Sequence, residues 1–137
     1  MLIPATRYND CEAALAFLGD VFRLAEHRVF RDDAGRIVHA QMRLGDGLMM
    51  FGPPQDGAFD AWMTDPAQTG GRETTTIYAV VADIGAIWTH VRDRCDLAGG
   101  RILVPLEAQD HGGRSFTIAD PEGHIWTLGD YDPMGDV

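Results

Sequence analysis

Long apolar runs and basic residues are scarce in this sequence, and each shortage excludes a class of protein. No apolar stretch reaches the roughly 18 residues of a membrane-spanning helix, and the N-terminus lacks the basic and then apolar pattern of a secretory signal. Eleven Lys and Arg stand against 21 Asp and Glu, a formal net charge of −10. Phosphate-backbone binding needs concentrated positive charge. We therefore expect a soluble, cytoplasmic protein that binds neither membrane nor nucleic acid.

Cysteine is also scarce. Cys11 and Cys95 are the only two cysteines, they lie far apart, and they show no metal-ligand spacing. Both fall in segments that the apolar spacing predicts to be helical. Two reduced structural thiols are favoured over a disulfide in this setting.

Two similar hairpins dominate the rest of the sequence. Residues 38–52 are β-favouring around the turn residues Gly45-Asp46-Gly47, and residues 116–131 are β-favouring around Asp120-Pro121-Glu122-Gly123. Glycine and proline give turns the backbone conformations that they need. The sequence therefore predicts an internal repeat of one structural module.

A strand and a helix precede each hairpin. Asp10 and Asp83 are candidate N-caps, and apolar residues follow each of them at helical spacing. Residues 2–6 and 75–81 are predicted strands that run into these helices. With the turns at residues 32–35 and 110–113, the order becomes strand, helix and three strands, twice over.

The 137 residues suffice for one domain with a real core. We expect a first module over about residues 1–53, a connection over about 54–73 and a second module over about 74–133. The connection carries Phe59, Trp62 and Met63, which is unusual for a solvated linker. It is either a lid or a small hydrophobic cluster that covers a sheet edge.

These features together resemble the vicinal oxygen chelate superfamily, which holds glyoxalase I, extradiol dioxygenases, and fosfomycin- and bleomycin-resistance proteins. The resemblance rests on the repeated pattern, on Tyr8-Asn9-Asp10, on residues 38–47 and on residues 120–126. It is greatest to the small bacterial glyoxalase/bleomycin-resistance-like proteins. It implies an α+β fold of two tandem βαβββ modules, with a curved mixed sheet and a concave ligand cavity.

The resemblance also implies where a metal would bind. Metal-dependent members place His, Glu, His and Glu on four strands, and the distances from the landmarks map these positions to Ile3, Met50, Ile77 and Thr127. Aliphatic, thioether and neutral hydroxyl side chains do not hold a hard divalent cation. We therefore expect no metal and no other cofactor, which places the lyase and dioxygenase activities in doubt.

The expected cavity is mainly apolar with few polar groups, which suits a flat, partly polar small molecule. His39 and Gln41 alternate with the apolar face of their strand and should point into the cavity. Arg7 matches by resemblance an arginine that contacts a carboxylate in glyoxalase I, or else it forms a structural ion pair. The candidate ligand-binding residues are Arg7, His39, Gln41, Met50, Ile77 and Thr127, with Trp62 and Tyr131 stacking over the ligand.

Three functions remain open. The first is a metal-free binder that sequesters an antibiotic or another toxic compound, for which the acidic surface suits a cationic or aromatic ligand. The second is a metal-independent enzyme, such as a glyoxalase I-like lyase, with His39 as base beside Arg7. The third is a metal-dependent lyase or dioxygenase with relocated ligands. The resemblance further implies a homodimer.

Overall fold

The computed structural model describes residues 1–135. They form two compact units that meet in the sequence between Arg72 and Glu73. The first unit contains strand β1 (Ala5–Arg7) and helix α1 (Cys11–Asp20), followed by strands β2 (Ala25–Arg31), β3 (Ile37–Leu44) and β4 (Gly47–Gly52). Its four-stranded sheet has the order β1-β4-β3-β2. Strand β1 runs parallel to β4, and the other neighbours are antiparallel.

The second unit repeats this topology. It contains strand β5 (Ile77–Val80) and helix α2 (Ile84–Arg94), followed by strands β6 (Arg101–Ala108), β7 (Arg114–Ala119) and β8 (Ile125–Gly129). The sheet order is β5-β8-β7-β6, with β5 parallel to β8. The predicted α+β class and the tandem βαβββ modules are confirmed.

The two helices begin where the sequence predicts. The Asp10 carboxylate accepts a hydrogen bond from Ala13 N at 3.0 Å, and the Asp83 carboxylate accepts one from Ala86 N at 3.1 Å. Strand β1 starts later than predicted, at Ala5, because Pro4 has no N–H to donate to the ladder. Helix α2 ends at Arg94.

One face of each sheet is buried. In the first unit Ala40, Met42, Met49 and Phe51 are buried, and the Tyr8 ring packs edge-on against Phe51 at 5.0 Å. In the second unit the ring of Trp88 in α2 packs against the ring of Phe116, with the ring centroids 5.0 Å apart. The buried face of this sheet consists of alternating residues of β7 and β8: Phe116, Ile118, Trp126 and Leu128. The alternation predicted for the strand that carries His39 and Gln41 is confirmed, and Trp126 lies in the core of the second unit.

Both cysteines are buried thiols that form no disulfide. Burial raises the pKa of the Cys95 thiol to about 11. The thiol is therefore protonated and poorly nucleophilic at neutral pH, as expected for a structural cysteine.

No helix in residues 1–135 has the length and apolar character to cross a bilayer.

Candidate functional site

The first unit contains a cleft of about 410 Å³. Strands β1, β3 and β4 form one wall, and the segment from Pro53 to Met63 forms the other. Three of the residues predicted from the sequence line it: Arg7, His39 and Met50. Seven of the other thirteen lining residues have apolar side chains: Ala5, Val38, Phe51, Pro53, Ala58, Phe59 and Met63.

The register of the sheet brings these residues together. Arg7 pairs with Gly52 across β1 and β4, and Met50 pairs with both Ala5 and Gln41. A Cβ at position 52 would lie 2.9 Å from the carbonyl oxygen of Val38. This approach is closer than a side chain allows, so glycine is required at the floor of the cleft.

Arg7 forms an ion pair with the opposite wall. Its Nη2 lies 2.6 Å from Asp60 Oδ1, and its Nη1 donates to the carbonyl oxygen of Met63 at 3.3 Å. The Arg7 side chain is only 9% exposed. Of the two roles that the sequence leaves open for Arg7, the structure displays the ion pair, and Asp60 neutralises the guanidinium charge in the cleft.

A second contact fixes the connecting segment. Asp65 is buried and accepts a hydrogen bond from Asn9 Nδ2 at 3.2 Å. This hydrogen bond is the main reason why the pKa of Asp65 lies below its ordinary value. The segment is therefore held at both Asp60 and Asp65.

Phe59 and Trp62 lie on either side of Asp60 in the sequence and are largely exposed to solvent. Their side chains are 66% and 72% exposed, and their rings meet edge-on at 5.5 Å. Phe59 lines the cleft, whereas Trp62 does not. Of the two aromatic residues, Phe59 is therefore the one placed to contact a ligand there.

His39 contacts Gln41, a neighbour that the sequence predicts on the same face. Gln41 Nε2 lies 3.1 Å from His39 Nε2. Which of the two groups donates depends on the tautomer of the His39 ring. The other ring in contact is Phe30, at 5.7 Å. No carboxylate in residues 1–135 contacts His39 to orient it as a base.

The remaining predicted residues belong to the second unit. Ile77 lies on β5, Thr127 on β8, and Tyr131 follows β8. Thr127 lines a different cavity, of about 350 Å³, which contains neither Ile77 nor Tyr131. This second cavity is mainly polar, and Val104 is its one aliphatic lining residue among those described. Apart from Thr127, the polar lining residues are Thr76, Tyr78, Glu107, Gln109, His111, Ser115 and Thr117.

Comparison with known proteins identifies the family. The model of the Glyoxalase/Bleomycin resistance protein/Dioxygenase superfamily matches residues 4–128. The chain belongs to this superfamily. An uncharacterised protein of Mycobacterium bovis is 27% identical over 128 residues, covering 93% of this chain and 81% of its own length.

Solved structures of low identity share the fold. TioX from Micromonospora sp. ML1 superimposes with a TM-score of 0.67 at 22% identity, over 93% of this chain and 95% of its own. The bleomycin-binding protein of Streptomyces verticillus, in complex with copper(II)-bleomycin, gives a TM-score of 0.61 at 19% identity, over 96% and 95% of the two chains. These two likenesses show that the fold is shared.

The residues present do not fit the metal of the superfamily's metalloenzymes. Ile3 and Ile77 have no donor atom, and Met50 offers a thioether. The Thr127 hydroxyl is hydrogen-bonded to the Thr117 hydroxyl at 2.8 Å. Within residues 1–135, no group of three or more His, Cys, Asp or Glu residues is arranged to hold a metal ion.

Sequence reasoning missed a histidine–carboxylate pair in the second unit. His124 Nδ1 lies 2.6 Å from Glu73 Oε1, and the other Glu73 oxygen accepts a hydrogen bond from Ile125 N at 3.1 Å. Glu73 and His124 are 51 residues apart in the sequence, so no local pattern indicates the contact. The same holds for Asp60, which is 53 residues from Arg7.

Proposed function

We propose that this superfamily member binds a small amphipathic cation in the cleft of the first unit without a catalytic metal, and that it sequesters a drug or toxin. The observation that carries the proposal is the Arg7–Asp60 ion pair at 2.6 Å. Asp56 lines the same cleft, so two carboxylates there oppose one guanidinium. The cleft thus favours a positively charged ligand over an anion.

The apolar lining supplies the rest of the recognition. Phe59, Met50 and Met63 offer aromatic and polarisable surface to a flat ligand. An exposed aromatic face also attracts a cation. The formal net charge of −10 adds long-range attraction for the same class of ligand.

Calorimetry with three probes tests this function. The probes are metal-free bleomycin, 1-naphthylmethylamine and 1-naphthoate, of which the last two share a ring system and differ in charge. We expect at least one cationic probe to bind. We also expect 1-naphthylmethylamine to bind at least about tenfold more tightly than 1-naphthoate, a difference of about 1.4 kcal/mol. Phe59→Ala and Asp56→Asn should each weaken the cationic probe.

Asp46→Asn is the matched control, because Asp46 is exposed in the β3–β4 turn and carries the same charge away from the cleft. Its affinity should equal that of the unchanged protein. If neither cationic probe binds, the proposed function is wrong. If 1-naphthoate binds as tightly as 1-naphthylmethylamine, the proposed preference of the cleft for a cationic ligand is wrong.

We also propose that two copies of the chain form a homodimer. Strands β2 and β6 each lie at the edge of a sheet, and they carry exposed apolar side chains, Phe30 at 46% and Leu103 at 39%. Unpaired edges with apolar side chains are favourable surfaces for association. Light scattering at micromolar concentration should give the mass of two chains, and the mass of one chain would refute the dimer.

A further inference from the structure

The chain contains two Asp-Gly sequences, and both belong to the first unit. They are Asp46-Gly47 in the turn between β3 and β4, and Asp56-Gly57 in the wall of the cleft. All four residues are exposed to solvent. Asp-Gly is the sequence in which a backbone nitrogen most readily attacks the preceding side chain, because glycine has no Cβ to hinder the approach. Which of the two sequences reacts then depends on the structure around it.

Gly47 is held in the antiparallel ladder. It pairs with Leu44, and only Gly45 and Asp46 separate the two residues. At a two-residue turn the last pair of the ladder is hydrogen-bonded, so the Gly47 N–H donates to the Leu44 carbonyl oxygen. Attack by the Gly47 nitrogen on the Asp46 side chain therefore requires this end of the hairpin to open first.

Gly57 has no such restraint. Its N–H has no hydrogen-bond partner among residues 1–135, and its φ of −168° is ordinary extended backbone. Outside its chain neighbours, the nearest atom to a Cβ built at position 57 would be the Gln55 carbonyl oxygen, at 4.0 Å. The Gly57 nitrogen is therefore open to movement toward the Asp56 side chain.

Asp56 presents the carboxyl group that this nitrogen can attack. Its carboxylate forms no hydrogen bond or ion pair within the described part of the chain. The other acidic residues of the segment are restrained, because Asp60 is paired with Arg7 at 2.6 Å and Asp65 is buried. An unpaired, exposed side chain keeps the rotational freedom that brings its Cγ to the next backbone nitrogen.

We propose that Asp56-Gly57 is a site of isoaspartate formation, at which the wall of the cleft rearranges covalently. The Gly57 nitrogen bonds to Asp56 Cγ, and one carboxylate oxygen leaves as water with the amide proton and a proton from solvent. Water then opens the resulting five-membered imide. Cleavage of the bond between Gly57 N and the Asp56 backbone carbonyl carbon gives isoaspartate, whereas cleavage at Cγ restores aspartate. The net reaction leaves the mass unchanged and needs no co-reactant except water.

The rearrangement changes both the backbone and the charge of the cleft wall. The chain then runs through Cβ and Cγ of residue 56, so the backbone is one methylene longer and the free carboxylate is attached to Cα. We expect the product to be a substrate for a repair methyltransferase that esterifies isoaspartyl carboxylates with S-adenosylmethionine. This reactivity does not depend on what the cleft binds.

Incubation of the full-length protein at neutral pH for several weeks tests the site. Peptide mapping by mass spectrometry with electron-transfer fragmentation distinguishes isoaspartate from aspartate at each position, and enzymatic methylation counts isoaspartate independently. Isoaspartate should form at residue 56 at least about fivefold faster than at residue 46, the factor that corresponds to about 1 kcal/mol for opening a ladder hydrogen bond. In urea, where the ladder is lost, the two positions should react at similar rates.

Gly57→Ala separates reactivity from folding. The extended backbone and the open space at residue 57 accept a Cβ, so the variant should fold like the unchanged protein. The added methyl group hinders the nitrogen, so isoaspartate at residue 56 should form several times more slowly, while residue 46 serves as the internal control with an unchanged rate. The assignment is wrong if residue 56 forms no isoaspartate or reacts no faster than residue 46 in the folded chain. It is also wrong if Gly57→Ala leaves the rate unchanged, or if the same selectivity persists in urea.

Discussion

Replacing Asp120 with alanine should lower the free energy of unfolding of the second unit by about 3–4 kcal/mol, because three buried donors lose their acceptor. Asp120 is 3% exposed. Its Oδ1 accepts hydrogen bonds from Glu122 N at 3.1 Å and His124 N at 3.0 Å, and its Oδ2 accepts one from the Trp126 indole at 3.2 Å. One carboxylate thus joins the turn between β7 and β8 to the core.

Urea unfolding followed by tryptophan fluorescence measures this loss. Asp120→Asn keeps one acceptor oxygen for the two backbone donors but turns an N–H group toward the indole N–H, so we expect an intermediate loss of about 1–2 kcal/mol. Asp110→Ala is the matched control, because Asp110 is an exposed turn aspartate, and it should change stability by less than about 0.5 kcal/mol. A loss below about 1 kcal/mol in Asp120→Ala would show that water replaces the carboxylate.

The second prediction with a large effect is the near absence of bound divalent metal and of metal-dependent activity. Protein purified without an affinity tag or chelator should hold far less than one divalent ion per chain. Hemithioacetal isomerisation, extradiol cleavage and thiol addition to fosfomycin should all be absent after addition of Ni²⁺, Zn²⁺, Mn²⁺ or Fe²⁺. The reason is the donor set, since the resemblance maps the histidine and glutamate positions of the metalloenzymes to Ile3, Met50, Ile77 and Thr127, a mapping that stays a prediction.

Elemental analysis of three forms of the protein checks this expectation. The forms are the unchanged chain, His39→Gln in the cleft, and His27→Gln as a control on the exposed strand β2. About one ion per chain, lost in His39→Gln and kept in His27→Gln, would contradict it and restore a metalloenzyme with relocated ligands. Weakly held metal that dialysis removes from all three forms agrees with it.

The ion pair in the cleft determines what the guanidinium of Arg7 binds in this structure. Arginine suits bidentate binding of a carboxylate, and in this chain Asp60 supplies that carboxylate from within. The connecting segment that carries Asp60 is also fixed by Asn9 and Asp65. The guanidinium thus holds the wall of the cleft, and any ligand carboxylate must compete with Asp60 for it.

The sequence by itself determined the elements and their order. Asp10 and Asp83 cap their helices, and the alternation around Met42 and Ile118 decides which strand faces are buried. These signals are local, because caps, turns and strand alternation depend on residues within a few positions of each other.

The tertiary structure alone decided which polar groups meet. The Arg7–Asp60 pair spans 53 residues and the Glu73–His124 pair spans 51. The polar cavity around Ser115 depends on the register of β7 and β8, and on Gly129 leaving space for Tyr78. Such contacts have no local signature, since many acidic residues of this chain could pair with Arg7 and only folding places one of them within hydrogen-bond distance.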